Sequence, residues 1–190
     1  LIDGTGHILL GGSFTTVNGF TRRGLARLTS TAALDETFAP ALAVEGGSVF
    51  ALAVQTNGQI VVGGDFYAVN GVARSRVARL DPDGTLDPDF QPAADWRVRA
   101  LLVRGNGQIV LGGEFSQVNQ QPRTGVALLS SDGTLNPGFQ SDLNGTTLDP
   151  IWTIDLGLPR VHALAEQQGR ILIGGRFVMV NGQPRGRIAR

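Results

Sequence analysis

A hydrophobic stretch, two glycines, one variable residue and a phenylalanine recur four times along the chain. The copies are Gly11-Gly12-Ser13-Phe14, Gly63-Gly64-Asp65-Phe66, Gly112-Gly113-Glu114-Phe115 and Gly174-Gly175-Arg176-Phe177. Successive copies begin 52, 49 and 62 residues apart. A period of roughly 40–50 residues marks a solenoid or a propeller, in which each repeat is one supersecondary unit stacked on its neighbours. That constraint outranks the length of 190 residues, which by itself would suit one or two domains, and residues 1–190 are read as one repeat domain. The 27 glycines, about twice the usual share, mostly fall at fixed repeat positions, so the excess is ordered rather than low-complexity.

Within each unit, short apolar runs alternate with turn signals. The first run is Val49 to Val54, matched by Val98 to Val103 and Val161 to Ala165. Asn57-Gly58 or Asn106-Gly107 follows, a dipeptide suited to a tight hairpin because both residues tolerate positive φ. The second run is Ile60 to Phe66, and Val69-Asn70-Gly71 leads through a polar stretch to a third, Val77 to Leu80. Asp83-Gly84 and Leu86 to Phe90 close the unit. Runs this short, without helical periodicity, predict antiparallel sheet. The first two are nearly continuous in apolar residues, so both sheet faces are covered. The fold expected is an all-β propeller of four-stranded antiparallel blades. Ala51, Ala53, Ala100 and Ala163 suit a crowded inner strand. Gly63, Gly64, Gly112 and Gly113 admit a neighbour close to the backbone.

The phase of the repeat adds a further expectation. Units run approximately over 1–38, 49–90, 98–139 and 161–190, with an insertion at 140–160. Gly6 aligns with Gly58 and Arg190 with Arg79, so about three and a half blades are present. An arc of a larger propeller is expected. The opening on Leu1, with no signal segment, is read as a fragment or a processed product.

Charge and cysteine narrow the functional classes. Sixteen basic residues balance sixteen acidic ones, so no net basic footprint for nucleic acid or an anionic membrane is present. Every basic residue is arginine, which fits either a GC-rich genome or structural bidentate hydrogen bonding. Cysteine is absent, which excludes disulfides and thiolate metal sites. No apolar run is long enough to span a bilayer.

The string Gly-Gly-x-Phe-x-x-Val-Asn-Gly-x-x-Arg, then Ala-Arg-Leu and Asp-Gly-x-Leu-Asp-x-x-Phe, is complete from Gly63 to Phe90 and weaker in the other copies. It resembles the delta-60 repeat of large bacterial secreted and surface proteins, and more distantly the kelch repeat. Gln120 stands at the turn glycine, Leu128 at the strand-three arginine, and Thr31-Ala32 at Asp-Gly. The resemblance implies a propeller in an extracellular or cell-surface setting and brings no catalytic residues.

The candidate sites follow from what recurs and what does not. Arg22, Arg74, Arg123 and Arg185 each fall four residues past Asn18, Asn70, Asn119 and Asn181. A position present in every unit is structural, as are Phe66 and Phe115, and the expected partners are the side chains of Asp35, Asp87 or Asn136. Asp81, Asp83 and Asp87 around Gly84 resemble the start of a calcium loop, but Pro92 stands where the closing glutamate belongs, so an Asp-Gly turn is the plainer reading. His7 and His162 are the only histidines, and neither lies in a spaced ligand cluster. No nucleophile elbow or phosphate loop is present, and no other cofactor is expected. Asn144-Gly145-Thr146 is a glycosylation sequon, meaningful only on a eukaryotic secretory route.

Trp96 and Trp152 lie between blades, where a flat ring either fills a gap or anchors a carbohydrate or protein partner. The insertion brings Asp142, Asp149 and Asp155 to one rim, which favours a glycan or polypeptide partner there over an anionic one. Trp152, Trp96, Asp149 and Asp155 are therefore the candidate binding residues. The lead reading is a non-enzymatic scaffold or interaction module. The rival is a propeller hydrolase or lyase acting on polysaccharide or lactone at a channel mouth.

Overall fold

Each repeat folds around one main antiparallel sheet, because its apolar runs are too short to do more than pair with the next across a turn. In a computed structural model describing residues 1–38, 44–141, 143–144 and 159–190, every regular element among the described residues is a strand. The chain divides into two compact units, Leu1–Ala93 and Ala94–Arg190, each holding two repeats.

In the first unit, Ser48–Val54, Ile60–Asp65 and Val77–Leu80 lie side by side in chain order, where the apolar runs placed them. The preceding repeat pairs Ile8–Gly11 with Leu25–Leu28. In the second unit, Val98–Val103, Ile109–Gly113 and Val126–Leu129 form one sheet. Arg160–Gln167, Arg170–Arg176 and Ile188–Ala189 form the other. Within each unit the two sheets share a core. Leu9, Leu25, Val49, Ile60 and Val62 pack together in the first, and Val110, Val126, Val161 and Ile173 in the second.

In the first three repeats the fourth strand is thinned to a single bridge, Leu28 to Leu34, Leu80 to Leu86 and Leu129 to Leu135. The cause is local. Asp87 Oδ1 accepts the backbone N–H of Asp89 at 2.9 Å, Asp35 does the same for Thr37 at 3.0 Å, and Asn136 for Gly138 at 2.9 Å. This side-chain turn folds the chain back and ends the ladder.

A second element was not anticipated from the strand pattern. Ala68–Val69 and Val72–Ala73 form a short hairpin, and the link strand Val44–Glu45 adds to it. Its turn is Asn70-Gly71, with φ of 52° and 76°, the two-residue loop in which both residues need positive φ. The Asn57-Gly58 turn is different and corrects the expectation. Only Gly58 has positive φ, at 85°. Gln55 N–H bonds to Gln59 O at 2.8 Å and Asn57 Oδ1 accepts Gln59 N–H at 3.1 Å. That is a longer loop closed by a left-handed glycine.

Gln120 takes the left-handed position that glycine holds in the other repeats, with φ of 61°. A non-glycine residue there costs roughly 1–2 kcal/mol. Glycine returns part of the gain through a looser unfolded chain. Gln120→Gly is therefore expected to stabilise by about 0.5–1 kcal/mol in a urea melt. A lower midpoint would show that the Gln120 side chain contributes more than its backbone costs.

The glycine pair has two separate jobs. A Cβ at Gly11 would lie 2.6 Å from Val49 Cγ1 of the adjacent sheet, and one at Gly112 would lie 2.7 Å from Val161 Cγ1. The first glycine thus lets sheet pack on sheet. At the second, a Cβ on Gly64, Gly113 or Gly175 would collide with the carbonyl oxygen of Ser48, Arg97 or Arg160 in its own blade. Those carbonyls approach because the first strand bulges, between Val49 and Ala51, Val98 and Ala100, and Val161 and Ala163. A bulge leaves one residue out of the ladder and re-aims it. Here the residues are Phe50, Arg99 and His162.

Candidate functional site

Of the arginines after the Asn turn, Arg22, Arg74 and Arg123 are buried and Arg185 is exposed, and Arg74 and Arg123 do not bridge to the side chains expected. Arg74 Nη2 donates to the backbone carbonyls of Asp87 at 3.1 Å and Pro88 at 3.2 Å, and Arg123 Nη2 donates to that of Asn136 at 3.2 Å. Backbone carbonyls are available whatever the side chain, so the same lock works with Asp or Asn at that position.

The carboxylates have another partner. Arg79 Nε donates to Asp87 Oδ2 at 2.7 Å and Arg27 Nε to Asp35 Oδ2 at 2.8 Å. Each guanidinium also lies over a buried phenylalanine, 4.4 Å from the Phe90 ring centroid and 4.5 Å from Phe38. Burial opposes ionisation of both acids. Hydrogen bonds, from Arg79 and the Asp89 backbone at Asp87 and from Thr37 and Arg27 at Asp35, outweigh it and hold both below the ordinary carboxylate value. In the third repeat Leu128 and Asn136 replace both members of the ion pair at once. These positions build the scaffold.

Asp81, Asp83 and Asp87 are not drawn to one point. Asp81 Oδ1 accepts from Gln59 Nε2 at 2.9 Å, Asp83 Oδ1 from Thr85 Oγ1 at 2.7 Å, and Asp87 holds Arg79. Among the described residues no three His, Asp or Glu side chains converge on a shared metal position. His7 sits 3.6 Å from Asp3 and 3.9 Å from Asp35. In the second unit, Leu128, Phe139, Ile171, Ile173 and Val180, together with Arg104, Gln140, Arg170 and Arg190, line an open cleft of about 530 Å³.

Three positions depart from this regularity. They are the residue before the bulge valine, the bulged residue itself, and the residue after the glycine pair. The second repeat carries Ser48, Phe50 and Asp65 there, the third Arg97, Arg99 and Glu114, and the fourth Arg160, His162 and Arg176. In the second unit they meet at one corner. Glu114 is 5% exposed, and its Oε1 accepts from Arg99 Nε. Its Oε2 lies 3.9 Å from both Arg97 Nη1 and Arg160 Nε. Arg160 in turn stands directly opposite Arg176 across the ladder. His162 is held below its ordinary value by burial first, then by the charges of Arg99 and Arg160, against the opposing pull of Glu114.

Trp96 borders the same corner. It is 45% exposed, and the Arg97 guanidinium lies 5.2 Å over its ring. It occupies the link between the Ala94–Val118 bridge and the first strand, held by Asp95, which accepts the N–H groups of Ser116 and Gln117 at 2.9 and 3.0 Å. In the fourth repeat the same link, from Leu143–Asn144 to Arg160, receives the insertion. Trp152, Asp149 and Asp155 lie outside the described residues, as does Asp142. The charged corner lies outside the insertion to which the sequence assigns its candidate anchors. The signal available was the contrast between strict glycines and phenylalanines and the changing residues beside them.

Small antiparallel sheets, one main sheet per repeat packed on its neighbour through the glycine pair, define the chain as a β-propeller repeat protein. It belongs to the DUF5122 β-propeller family, a domain of unknown function, whose model matches residues 4–38, 55–90, 104–139 and 169–190. No curated protein matches the chain. The matched segments contain the glycine pairs and the arginine locks. Trp96, Arg97, Arg99, Arg160 and His162 all fall between them.

Proposed function

We propose that the chain is a non-enzymatic repeat scaffold, of the delta-60 kind, in a secreted or cell-surface bacterial protein, and that it presents binding residues to a protein or glycan surface. One observation carries the reading. Glycines, phenylalanines and arginine locks recur from repeat to repeat, while the bulged residue changes from Phe50 to Arg99 to His162 and the residue after the glycine pair from Ser13 to Asp65, Glu114 and Arg176. A rigid frame with interchangeable side chains at fixed places is what a binding module requires, since positions on strands hold geometry better than loops. The extracellular setting is supported by the delta-60 resemblance.

The insertion is tested by deleting 145–158, which sets Leu143 four residues from Val161, the spacing of Ala94 and Val98 in the third repeat. Leu143 is fully buried and must stay. The shortened chain is expected to melt like the parent and to lose binding on a glycan array or to purified cell-surface protein. Unchanged binding would exclude Trp152, Asp149 and Asp155 as anchors. Turnover of a polysaccharide or lactone would overturn the non-enzymatic reading, and exclusive recovery from the cytoplasm in cell fractionation would overturn the proposed location.

A further inference from the structure

We propose that the cleft beside Arg123 in the third repeat binds a small hydroxyl-bearing carboxylate. The carboxylate oxygen takes the place that the Pro88 carbonyl holds in the second repeat, accepting from Arg123 Nη2 and Gln140 Nε2. This goes beyond the scaffold reading and does not rest on it.

The second repeat shows what the third lacks. In register, Arg74, Asp87, Pro88 and Gln91 correspond to Arg123, Asn136, Pro137 and Gln140. One oxygen closes the corner in the second repeat: the Pro88 carbonyl accepts from Arg74 Nη2 at 3.2 Å and from Gln91 Nε2 at 2.7 Å. In the third, Arg123 Nη2 keeps only the Asn136 carbonyl at 3.2 Å, and Nη1 that of Pro122 at 2.6 Å. Among the described residues Pro137 accepts neither counterpart bond. Two donors that share an acceptor in one repeat are therefore without it in the next. The chain beyond is also fixed differently. Ser141 donates its hydroxyl to the Val126 carbonyl at 3.2 Å, a bond that Pro92 at the equivalent place cannot make. An open cleft of about 380 Å³ results, lined by Gln121, Pro122, Arg123, Thr124, Gln140 and Ser141.

The ligand class follows from the charge and the walls. Arg123 is the one charged residue lining this cleft, and it is only 8% exposed. Arg74 holds the carbonyl of a residue that carries a carboxylate, Asp87, whereas Arg123 holds that of the neutral Asn136. No carboxylate pairs with Arg123 among the described residues. A buried cation is costly without an anion beside it. A carboxylate entering the cleft relieves that cost, and its oxygen makes a stronger, charge-assisted version of the bond that a carbonyl makes in the second repeat. The carboxamides of Gln121 and Gln140 and the Thr124 hydroxyl supply both donors and acceptors, which suits hydroxyls on the ligand body. One guanidinium matches one carboxylate, and the volume is at the lower end of small-molecule sites. A nucleic acid would need a row of cations following successive phosphates.

Calorimetric titration of the whole 190-residue chain at neutral pH with D-gluconate, D-gluconamide and inorganic phosphate tests this. Gluconate is expected to bind, and gluconamide, which differs in the charge of its head group, to bind at least about tenfold more weakly, the loss of one charge-assisted hydrogen bond. Gln140→Ala should weaken gluconate binding about fivefold. Its melting temperature should not change, because this exposed side chain holds no other residue among the described ones. Gln91→Ala, the counterpart in the second repeat, should leave the affinity unchanged, since the Pro88 carbonyl already fills that corner. In NMR spectra gluconate should shift the Gln140 side-chain amide and leave that of Gln91 in place. Absence of gluconate binding, equal binding of acid and amide, or full affinity in Gln140→Ala overturns the proposal. Equal losses in Gln140→Ala and Gln91→Ala overturn it as well. Phosphate binding as tightly as gluconate overturns the carboxylate assignment. Each of these failures leaves the scaffold reading intact.

Discussion

Arg79→Leu alone is expected to destabilise the chain by roughly 3 kcal/mol, while Arg79→Leu combined with Asp87→Asn should stay within about 1 kcal/mol of the parent. The pair is 9% and 7% exposed, so removing the guanidinium leaves a carboxylate that water reaches poorly. The double variant copies what the third repeat already contains at Leu128 and Asn136, with Phe139 in place of Phe90. Asn136 keeps the turn, accepting the N–H groups of Gly138 and Phe139 at 2.9 and 3.2 Å, so the asparagine loses no backbone partner. A double-mutant cycle in urea reads the coupling. Additive losses would show that the ion pair is incidental and that the arginine acts only through its packing on Phe90.

The same variants carry a pH signature. Asp87 is held below its ordinary value of 3.8 in the folded chain, so its contribution is fully present above that value and is lost as pH falls through the lower folded one. The double variant lacks the group, and its stability should fall less steeply below pH 3.8 than the parent's. Asp35, depressed in the same direction, still contributes in both. An identical acid limb would assign the acid loss to other carboxylates.

Gly64→Val should cost about 3 kcal/mol or more, the upper end of overpacking, and Asp65→Val under about 1 kcal/mol. A side chain at Gly64 meets the Ser48 carbonyl oxygen, and its Cβ also falls 3.0 Å from Phe66 Cδ1, so relief requires moving backbone and undoing the bulge. Asp65 gives up an ion pair to Arg76 at 3.4 Å, between side chains 26% and 19% exposed. Denaturant melts of the two variants make the comparison. Equal, small effects would mean that the glycine pair reflects local turn preference and not the bulge.

The strands were legible because their cause is local. Apolar runs such as Ile60 to Asp65, ended by residues that turn the chain, admit one pairing, and the register then follows from which face must be covered. The glycine pair was legible for the same reason, as a site of close approach, though not its division into a sheet contact and a bulge. The Asn70-Gly71 hairpin was hidden by its two-residue strands, too short to show alternation. The arginine locks were recognised by recurrence, but their acceptors were misassigned. Composition distinguishes Asp87 from Asn136, whereas Arg74 and Arg123 bond the backbone carbonyls that both residues share.

The charged corner belongs to the tertiary structure. Glu114 and Arg160 are 46 positions apart in the chain, and nothing in either neighbourhood names the other. Antiparallel pairing and the repeat period are consequences of short-range sterics and hydrophobic patterning, so they can be read from the string of residues. The meeting of Arg97, Arg99, Arg160 and Glu114 depends on two sheets packing face to face and on a bulge in each first strand. Those are long-range arrangements, in which a side chain's neighbours are set by where the backbone has been carried and not by the residues beside it.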